Sequence, residues 1–279
     1  MNTPAHGDPV AGGLRAARVA LNAFVLVAAV LPLYLLLKQS VTPELETFAW
    51  PPHWLPHHLT LAHFISVFAV SDLRSAVPRS LGVAAVSAVI ATLLGAMLAH
   101  AMARSSFAQR LGFSTVSGVR LLPMIAVAIP LGMILANLGI YDAPSGIGLA
   151  IVHAAIAIPT AALTLYASFA AIPLEIEEAA WIDGASPLRI FLTMDLPMVR
   201  GSIATALILC FILSWDEFGF ALLVQQTNRT LPPLLYYYTV FGNVGPASAL
   251  ALLMMIPAVF VVLALGPSLR GTLMAGSSR

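Results

Sequence analysis

The stretch "IPLEIEEAAWIDGASPLRIFLTMDLP", residues 172–197, decides how this chain is read. Charged residues make up 9% of the sequence, yet Glu175, Glu177, Glu178 and Asp183 fall together here, flanked by almost wholly apolar segments. Pro173 suits a first helical position, where its missing N–H has no partner in any case. Glu175 and Glu177 follow in the first turns, where the helix dipole favours negative charge. Gly184 stands where a left-handed cap ends such a helix. Ser186 and Pro187 then read as an N-cap and a first residue opening a second helix. The stretch is a short helix, a sharp turn and a new helix. The first helix is too short to be stable alone. Ile176, Ala179 and Ala180 give it a small apolar stripe with Glu178 beside it. Either a partner closes on that stripe, or the charges merely keep a solvated helix out of the membrane.

The surrounding chain supplies the context. Of 279 residues, 59% are hydrophobic, and the mean hydropathy is +0.93. A soluble domain carries roughly a quarter charged residues, and there is too little polar surface here to coat a water-soluble globule. The sequence describes an all-α integral membrane protein. A net charge of +1 gives no basic field for nucleic acid. Lys38 is the only lysine, so no GxxxxGK[ST] phosphate loop exists and any ATP-driven step needs another subunit. Cys210 has no cysteine partner and reads as a small buried hydrophobe. Neither GxSxG nor HExxH occurs, so no catalytic residue is assigned.

Apolar runs long enough to cross the hydrocarbon core lie at about 18–37, 80–103, 113–137, 145–170, 199–224 and 246–267, which predicts six transmembrane helices. The first is expected to be retained, because "LKQSVTPEL" after it lacks a small-x-small cleavage site. Only "NLGIYDAPSG" separates the third and fourth, with turn chemistry at Asn137, Gly139, Asp142, Pro144 and Gly146. With the N-terminus inside, Arg15, Arg18, Arg104, Arg110, Arg189, Arg200, Arg270 and Arg279 are cytoplasmic, and Lys38, Arg74, Arg79 and Arg229 remain outside. Cytoplasmic loops carry the positive excess, so both termini and the acidic helix are cytoplasmic. The external segment, 38–78, contains "HFISVFAV", a candidate short interfacial helix, with Trp50 and Trp54 at headgroup depth. In the second span, Ser87, Ala91, Gly95, Ala99 and Ala103 recur every four positions, as do Ala84, Ala88, Thr92 and Ala96. Such ridges let helices approach closely. Pro123, Pro130, Pro159 and Pro257 are expected to kink spans or to be ordinary membrane-helix prolines.

"EAAWIDGASPLRIFLTMDLP" resembles the EAA loop of the membrane subunits of binding-protein-dependent ABC importers. Glu178-Ala179-Ala180, Gly184 and Leu196-Pro197 are in register with that pattern, and Met194 stands where the family usually has Ile. "LANLGIYDAPSGIGLAIVHAAIAIP" and "FILSWDEFGFALLV" are similar to the carbohydrate-importer branch, which usually has Trp-Asn-Glu-Phe where this chain has Trp215-Asp216-Glu217-Phe218. "RTLPPLL" and "LRGTLMAG" echo the branch, although its C-terminal "GAVKG" is absent. The resemblance covers about residues 75 to 279.

That resemblance implies the type I ABC importer permease fold: six transmembrane helices with a cytoplasmic coupling helix in a bacterial plasma (inner) membrane. It implies ATPase-coupling residues Glu178, Ala179, Ala180, Asp183, Gly184, Leu196 and Pro197. The implied partners are a pair of cytoplasmic ATPase subunits, a second homologous permease and an extracytoplasmic solute-binding protein. The chain itself needs no cofactor, ATP and Mg being bound by the ATPase. Residues 1–74 form an N-terminal tail, first helix and external linker, 75–268 the transmembrane domain with the EAA loop at 172–197, and 269–279 a cytoplasmic tail. The implied cargo is a sugar or related polyol. A non-sugar solute such as a polyamine is the alternative, and an ion-coupled secondary transporter is a third reading that lacks visible repeats.

Other residues carry open readings. Arg120 either lies inside the third span facing a cavity or partner, or snorkels to the interface. Trp215, Asp216 and Glu217 are candidate translocation-path residues. Asp216 and Glu217 diverge by about 100° on a helix, so one pairs with a cation while the other lines the path, unless both serve bundle packing. His53, His57, His58 and His63 read as interfacial loop residues, and no metal site is assigned. Tyr236, Tyr237 and Tyr238 are either an aromatic belt or a contact for a substrate-delivering protein.

Overall fold

The computed structural model describes residues 9–69, 71–121 and 123–276; helices account for most of them, and no strand occurs among them. In chain order the elements are α1 (Pro9–Val41), α2 (Glu44–Thr47), α3 (Ala62–Ala69), α4 (Ser71–Arg104), α5 (Ser106–Leu121), α6 (Met124–Asn137) and α7 (Ile147–Ala170). Then come α8 (Leu174–Ile182), α9 (Pro187–Ile190), a π turn (Phe191–Asp195), α10 (Leu196–Met198), α11 (Arg200–Trp215), α12 (Gly219–Val224), α13 (Leu231–Val240) and α14 (Val244–Gly276).

Among the described residues three helices are unbroken, long and apolar enough to cross a membrane: Ala17–Val41 within α1, Asp72–Arg104 within α4, and α7. Residues 187–198 and α11 qualify only as a pair, and they meet at 81°. Ala126–Asn137 and Val244–Phe260 are shorter apolar segments. The third apolar run, expected to be unbroken over 113–137, is divided between α5 and α6. Pro123, at φ −61° and ψ 129°, is the extended residue before α6. Its ring also disfavours helix in the residue before it. Pro130 and Pro159 sit inside α6 and α7 without ending them.

The chain forms two compact units, one of residues 1–68 with 238–255, the other of 69–237 with 256–279. Residues 63–69 of "HFISVFAV" lie in the short helix α3, and Val70 lies outside the described residues. Buried His63 places Nε2 2.8 Å from the Thr42 carbonyl. The Glu46 carboxylate accepts the amides of His57 and His58 at 2.5 and 3.2 Å. His53 also takes part, its carbonyl accepting from Lys38 Nζ and its ring lying 4.3 Å from that of His57, so all four of these histidines make structural contacts.

The second unit is built on α4, α7 and α11. Both small-residue ridges of α4 are used: Ala84, Ala88, Ala91, Ala96 and Ala99 are buried, as are Ser87 and Thr92. A Cβ built on Gly95 falls 2.5 Å from the Ala161 Cβ on α7, so glycine is what permits this approach. Leu81, Val89, Leu93 and Met97 on other faces of α4 are exposed, as suits lipid. The 138–146 turn forms as its residues suggest, with Gly139, Asp142 and Gly146 all at positive φ. Asp142 accepts the Thr227 and Asn228 amides, each at 2.9 Å. Arg79 donates to the carbonyls of Pro144 and Arg229 at 2.9 and 2.8 Å. That closes the end of the unit opposite the acidic loop.

Candidate functional site

The acidic loop is organised by local capping. Pro173, in an extended conformation, precedes α8, one residue earlier than its expected place inside the helix. At the other end Gly184 has φ +81°. Its N–H donates to the Trp181 carbonyl, and that of Ala185 to the Ala180 carbonyl, each at 3.0 Å. This paired pattern is the Schellman cap, which satisfies carbonyls that the helix end leaves free. Ser186 Oγ then accepts the Arg189 amide at 3.4 Å, with Pro187 as the first residue of α9. The π turn and α10 follow, containing Leu196 and Pro197, before the 81° bend into α11. The bend lays the loop across the end of a span rather than continuing it.

The two faces of α8 differ. Glu178, Ala179, Asp183 and Gly184 are exposed, as are Trp181 at 54% and Ile182 at 87%. Ile176, Ala179 and Ala180 line an open groove of about 620 Å³ between α8 and the following turns, with Glu175, Asp183 and Arg189 at its polar rim. The stripe is therefore concave surface, and Glu178 lies outside that lining.

The inward face belongs to Glu177, which is 4% exposed. Arg104, at the end of α4, reaches Glu177 Oε1 through Nε at 2.6 Å and Nη2 at 2.5 Å. The same guanidinium donates to the carbonyls of Phe169 and Ile172 at 3.1 and 3.4 Å. A cation is favoured at the end of α7, where carbonyls lack helical partners. One arginine thus ties α4, the end of α7 and α8 together. Beside it lie His100 and a fully buried Asp195. Burial, and then the charge of Glu177, push the Asp195 carboxyl above the usual range.

The second candidate region is the Trp215–Phe218 tetrad. An unbroken helix is expected there, but α11 ends at Trp215 and α12 begins at Gly219. The cause is Glu217, whose Oε1 accepts the Phe220 amide at 2.9 Å and whose Oε2 accepts the Ala221 amide at 3.0 Å. A carboxylate that captures these amides caps a new helix instead of continuing the old one. Glu217 Oε2 also lies 3.0 Å from His153 Nε2 on α7, and His153 Nδ1 lies 2.8 Å from Ser214 Oγ. The carboxylates do diverge: Glu217 turns inward while Asp216 is exposed. Trp215 is 4% exposed and stacks on Phe211, so its indole lies in the core rather than on an open surface. The Arg120 side chain lies outside the described residues. Sequence reasoning missed Arg104, Glu177 and His153 as functional partners. A histidine in the apolar run "LAIVHAAIAIP" and an arginine ending a long apolar helix were the available signals.

A multi-helix membrane protein whose capped helical loop turns across the end of a span has the architecture of a transport permease. The chain belongs to the family described as binding-protein-dependent transport system inner membrane component, matched over residues 91–269. It is 31% identical over 215 residues to the inner membrane ABC transporter permease protein YcjP of Escherichia coli, covering 75% of this chain and 76% of YcjP. It is 32% identical over 216 residues to the trehalose transport system permease protein SugB of Mycobacterium tuberculosis, covering 75% of this chain and 78% of SugB. The fold matches a chain in the crystal structure of a bacterial ABC transporter involved in import of the acidic polysaccharide alginate, with TM-score 0.72 and 17% identity. That match covers 96% of this chain and 99% of the other. This chain is therefore a multi-pass permease subunit and not an enzyme.

Proposed function

We propose that the chain is one of two membrane-spanning subunits of an ATP-driven importer for a sugar or related polyol. The single observation that carries this is the exposed face of the loop, held rigid by the Gly184 cap and anchored from behind by Arg104. A loop so supported transmits a push from a cytoplasmic ATPase into α4 and α7. Glu178, Ala179, Asp183 and Gly184 form its outer contact, the groove beside Ala180 receives a partner side chain, and Leu196-Pro197 leads back to the span. The chain crosses the membrane six times, once in residues 1–74 and five times in the transmembrane domain 75–268, and 269–279 follow as a tail. Both termini lie in the cytoplasm, and the membrane is the bacterial inner membrane.

The partner ATPase binds ATP and Mg, a second permease completes the path, and an external protein delivers solute. Asp216 borders the path near the helix break, where Phe218 and Tyr236 rings lie 5.3 Å apart. The trehalose permease among the relatives favours a sugar. The test is ligand binding by the cognate external protein, followed by uptake into vesicles holding the whole complex. Saturable uptake of a sugar or polyol is expected. Uptake of a polyamine alone removes the sugar assignment, and uptake driven by an ion gradient without ATP removes the importer assignment.

A further inference from the structure

Behind the loop, three side chains from three elements converge. His100 comes from α4, Glu177 from α8, and Asp195 ends the π turn. One ligand-capable atom of each lies within 4.8 Å of the other two. Asp195 is fully buried and Glu177 nearly so, whereas the His100 side chain keeps 25% of its surface exposed.

Charge and geometry are both left incomplete. Arg104 places Nε and Nη2 on Glu177 Oε1 and donates to two carbonyls besides, so one cation faces two carboxylates. His100 Nε2 stands 3.1 Å from Asp195 Oδ2. Even so, among the described residues neither Asp195 oxygen nor His100 Nε2 takes part in an aligned hydrogen bond. Buried polar atoms are nearly always hydrogen-bonded, and a buried carboxylate short of partners is costly. A proton shared along that contact needs the alignment that is missing. A cation seated between the three needs only lone pairs that converge.

We infer that His100, Glu177 and Asp195 form a binding site for one divalent transition-metal ion of the zinc type. One imidazole nitrogen with two carboxylate oxygens suits zinc, manganese or ferrous iron, whereas magnesium and calcium prefer oxygen alone. Tetrahedral bonds of about 2.0–2.1 Å place neighbouring ligand atoms roughly 3.4 Å apart, close to the His100–Asp195 separation. Glu177 offers a carboxylate oxygen, and Arg104 holds that carboxylate in the orienting role that outer partners of metal ligands play. The exposed edge of His100 gives the ion access and leaves a position for water. An ion here fastens α4, α8 and the π turn to one point and stiffens the rear of the loop. The site stands whether or not the loop docks on an ATPase.

The test uses the untagged full-length chain within its complex, stripped with chelator and titrated with zinc alone. One zinc per chain is expected, with X-ray absorption reporting nitrogen and oxygen ligands, and with slower amide exchange across residues 172–198. Asp195→Asn and His100→Gln should each weaken binding by about tenfold or more, and a His57→Ala/His58→Ala double variant should bind as the wild type does. Exchange in the wild-type protein decides the matter even if a ligand variant folds poorly. No zinc-dependent protection of the loop overturns the site. So does equal binding by wild type, Asp195→Asn and His100→Gln, or loss of binding in the external histidine variant. Binding is read apart from transport, so its failure leaves the coupling role untouched.

Discussion

Arg104 grips Glu177 by two nitrogens on one oxygen, Nε at 2.6 Å and Nη2 at 2.5 Å, and so fixes which acidic residue of the loop faces inward. Adjacent positions on α8 point about 100° apart, and with Glu177 turned to Arg104, Glu178 is turned out. The motif's first glutamate is therefore free for a partner because its neighbour is occupied.

Breaking this buried pair should be expensive. Glu177→Ala leaves Arg104 without its carboxylate, and Arg104→Ala leaves a buried carboxylate without its cation; removing one partner of such a pair costs about 3–5 kcal/mol. Glu178→Ala, at an exposed position, should change stability by about 0.5 kcal/mol or less. Thermal unfolding of the purified complex distinguishes the two glutamates. Equal effects at 177 and 178 contradict the inward assignment.

Gly184 should matter through its backbone alone, because a Cβ there meets no atom within 4 Å. At φ +81° a β-branched residue is strongly disfavoured, so Gly184→Val should misdirect the return from α8. ATPase subunits should dissociate more readily and transport should fall, with membrane insertion intact. Gly184→Asn, which tolerates the left-handed region, should retain most of both. Full transport and ATPase retention by Gly184→Val would refute the coupling role of the loop.

Orientation has a direct check. In a Cys210→Ala background, a cysteine at Thr227 should label from outside and one at Ser186 from the cytoplasm. Both positions are exposed. Labelling of both from one side rules out the proposed topology.

The loop around Glu46 should respond to acid. The His57 amide, and with it the His58 amide and both imidazoles, holds the Glu46 carboxyl below its ordinary value against a smaller opposing effect of desolvation. A depressed folded value contributes stability above the unfolded value, lost as pH falls through the folded one. Amide exchange at His57 and His58 should therefore speed up, beyond its intrinsic rate, as pH falls below the ordinary glutamate range, and Glu46→Gln should remove that pH dependence. An unchanged profile in Glu46→Gln would assign the protection elsewhere.

Local features of the loop were legible because they depend on neighbours in sequence. Gly184, Ser186 and Pro187 each answer a backbone requirement that any helix end imposes. The ridges of α4 were legible for a similar reason, since a four-residue repeat of small side chains has one use in lipid. The direction of Glu177 was not, because it depends on an arginine 73 positions away. The break after Trp215 was also hidden: Asp216 and Glu217 stand out in the run, but only the folded chain brings His153 within reach of Glu217. Pro123 was visible, but whether a proline kinks or divides a run is decided by packing, as Pro130 and Pro159 show by remaining within helices.

The tetrad supplies the last prediction, because its two carboxylates have separate tasks. Glu217 caps α12 through two amides and meets His153, so Glu217→Leu removes the cap and leaves His153 facing an apolar side chain. Loss of a cap costs about 0.5–2 kcal/mol, and an orphaned buried polar group about 1–3 kcal/mol. Stability and transport should fall together in Glu217→Leu, and His153→Leu should reproduce part of the loss. Glu217→Gln keeps an acceptor for one amide and should lie between. Asp216 is exposed and does not hold the break together, so Asp216→Leu should leave the unfolding temperature, assembly and basal ATPase nearly unchanged while lowering transport. Thermal unfolding and vesicle uptake, measured on the same preparations, separate the two roles. Unchanged transport in Asp216→Leu would take Asp216 off the path, and an unchanged unfolding temperature in Glu217→Leu would mean that the helix break does not depend on its carboxylate.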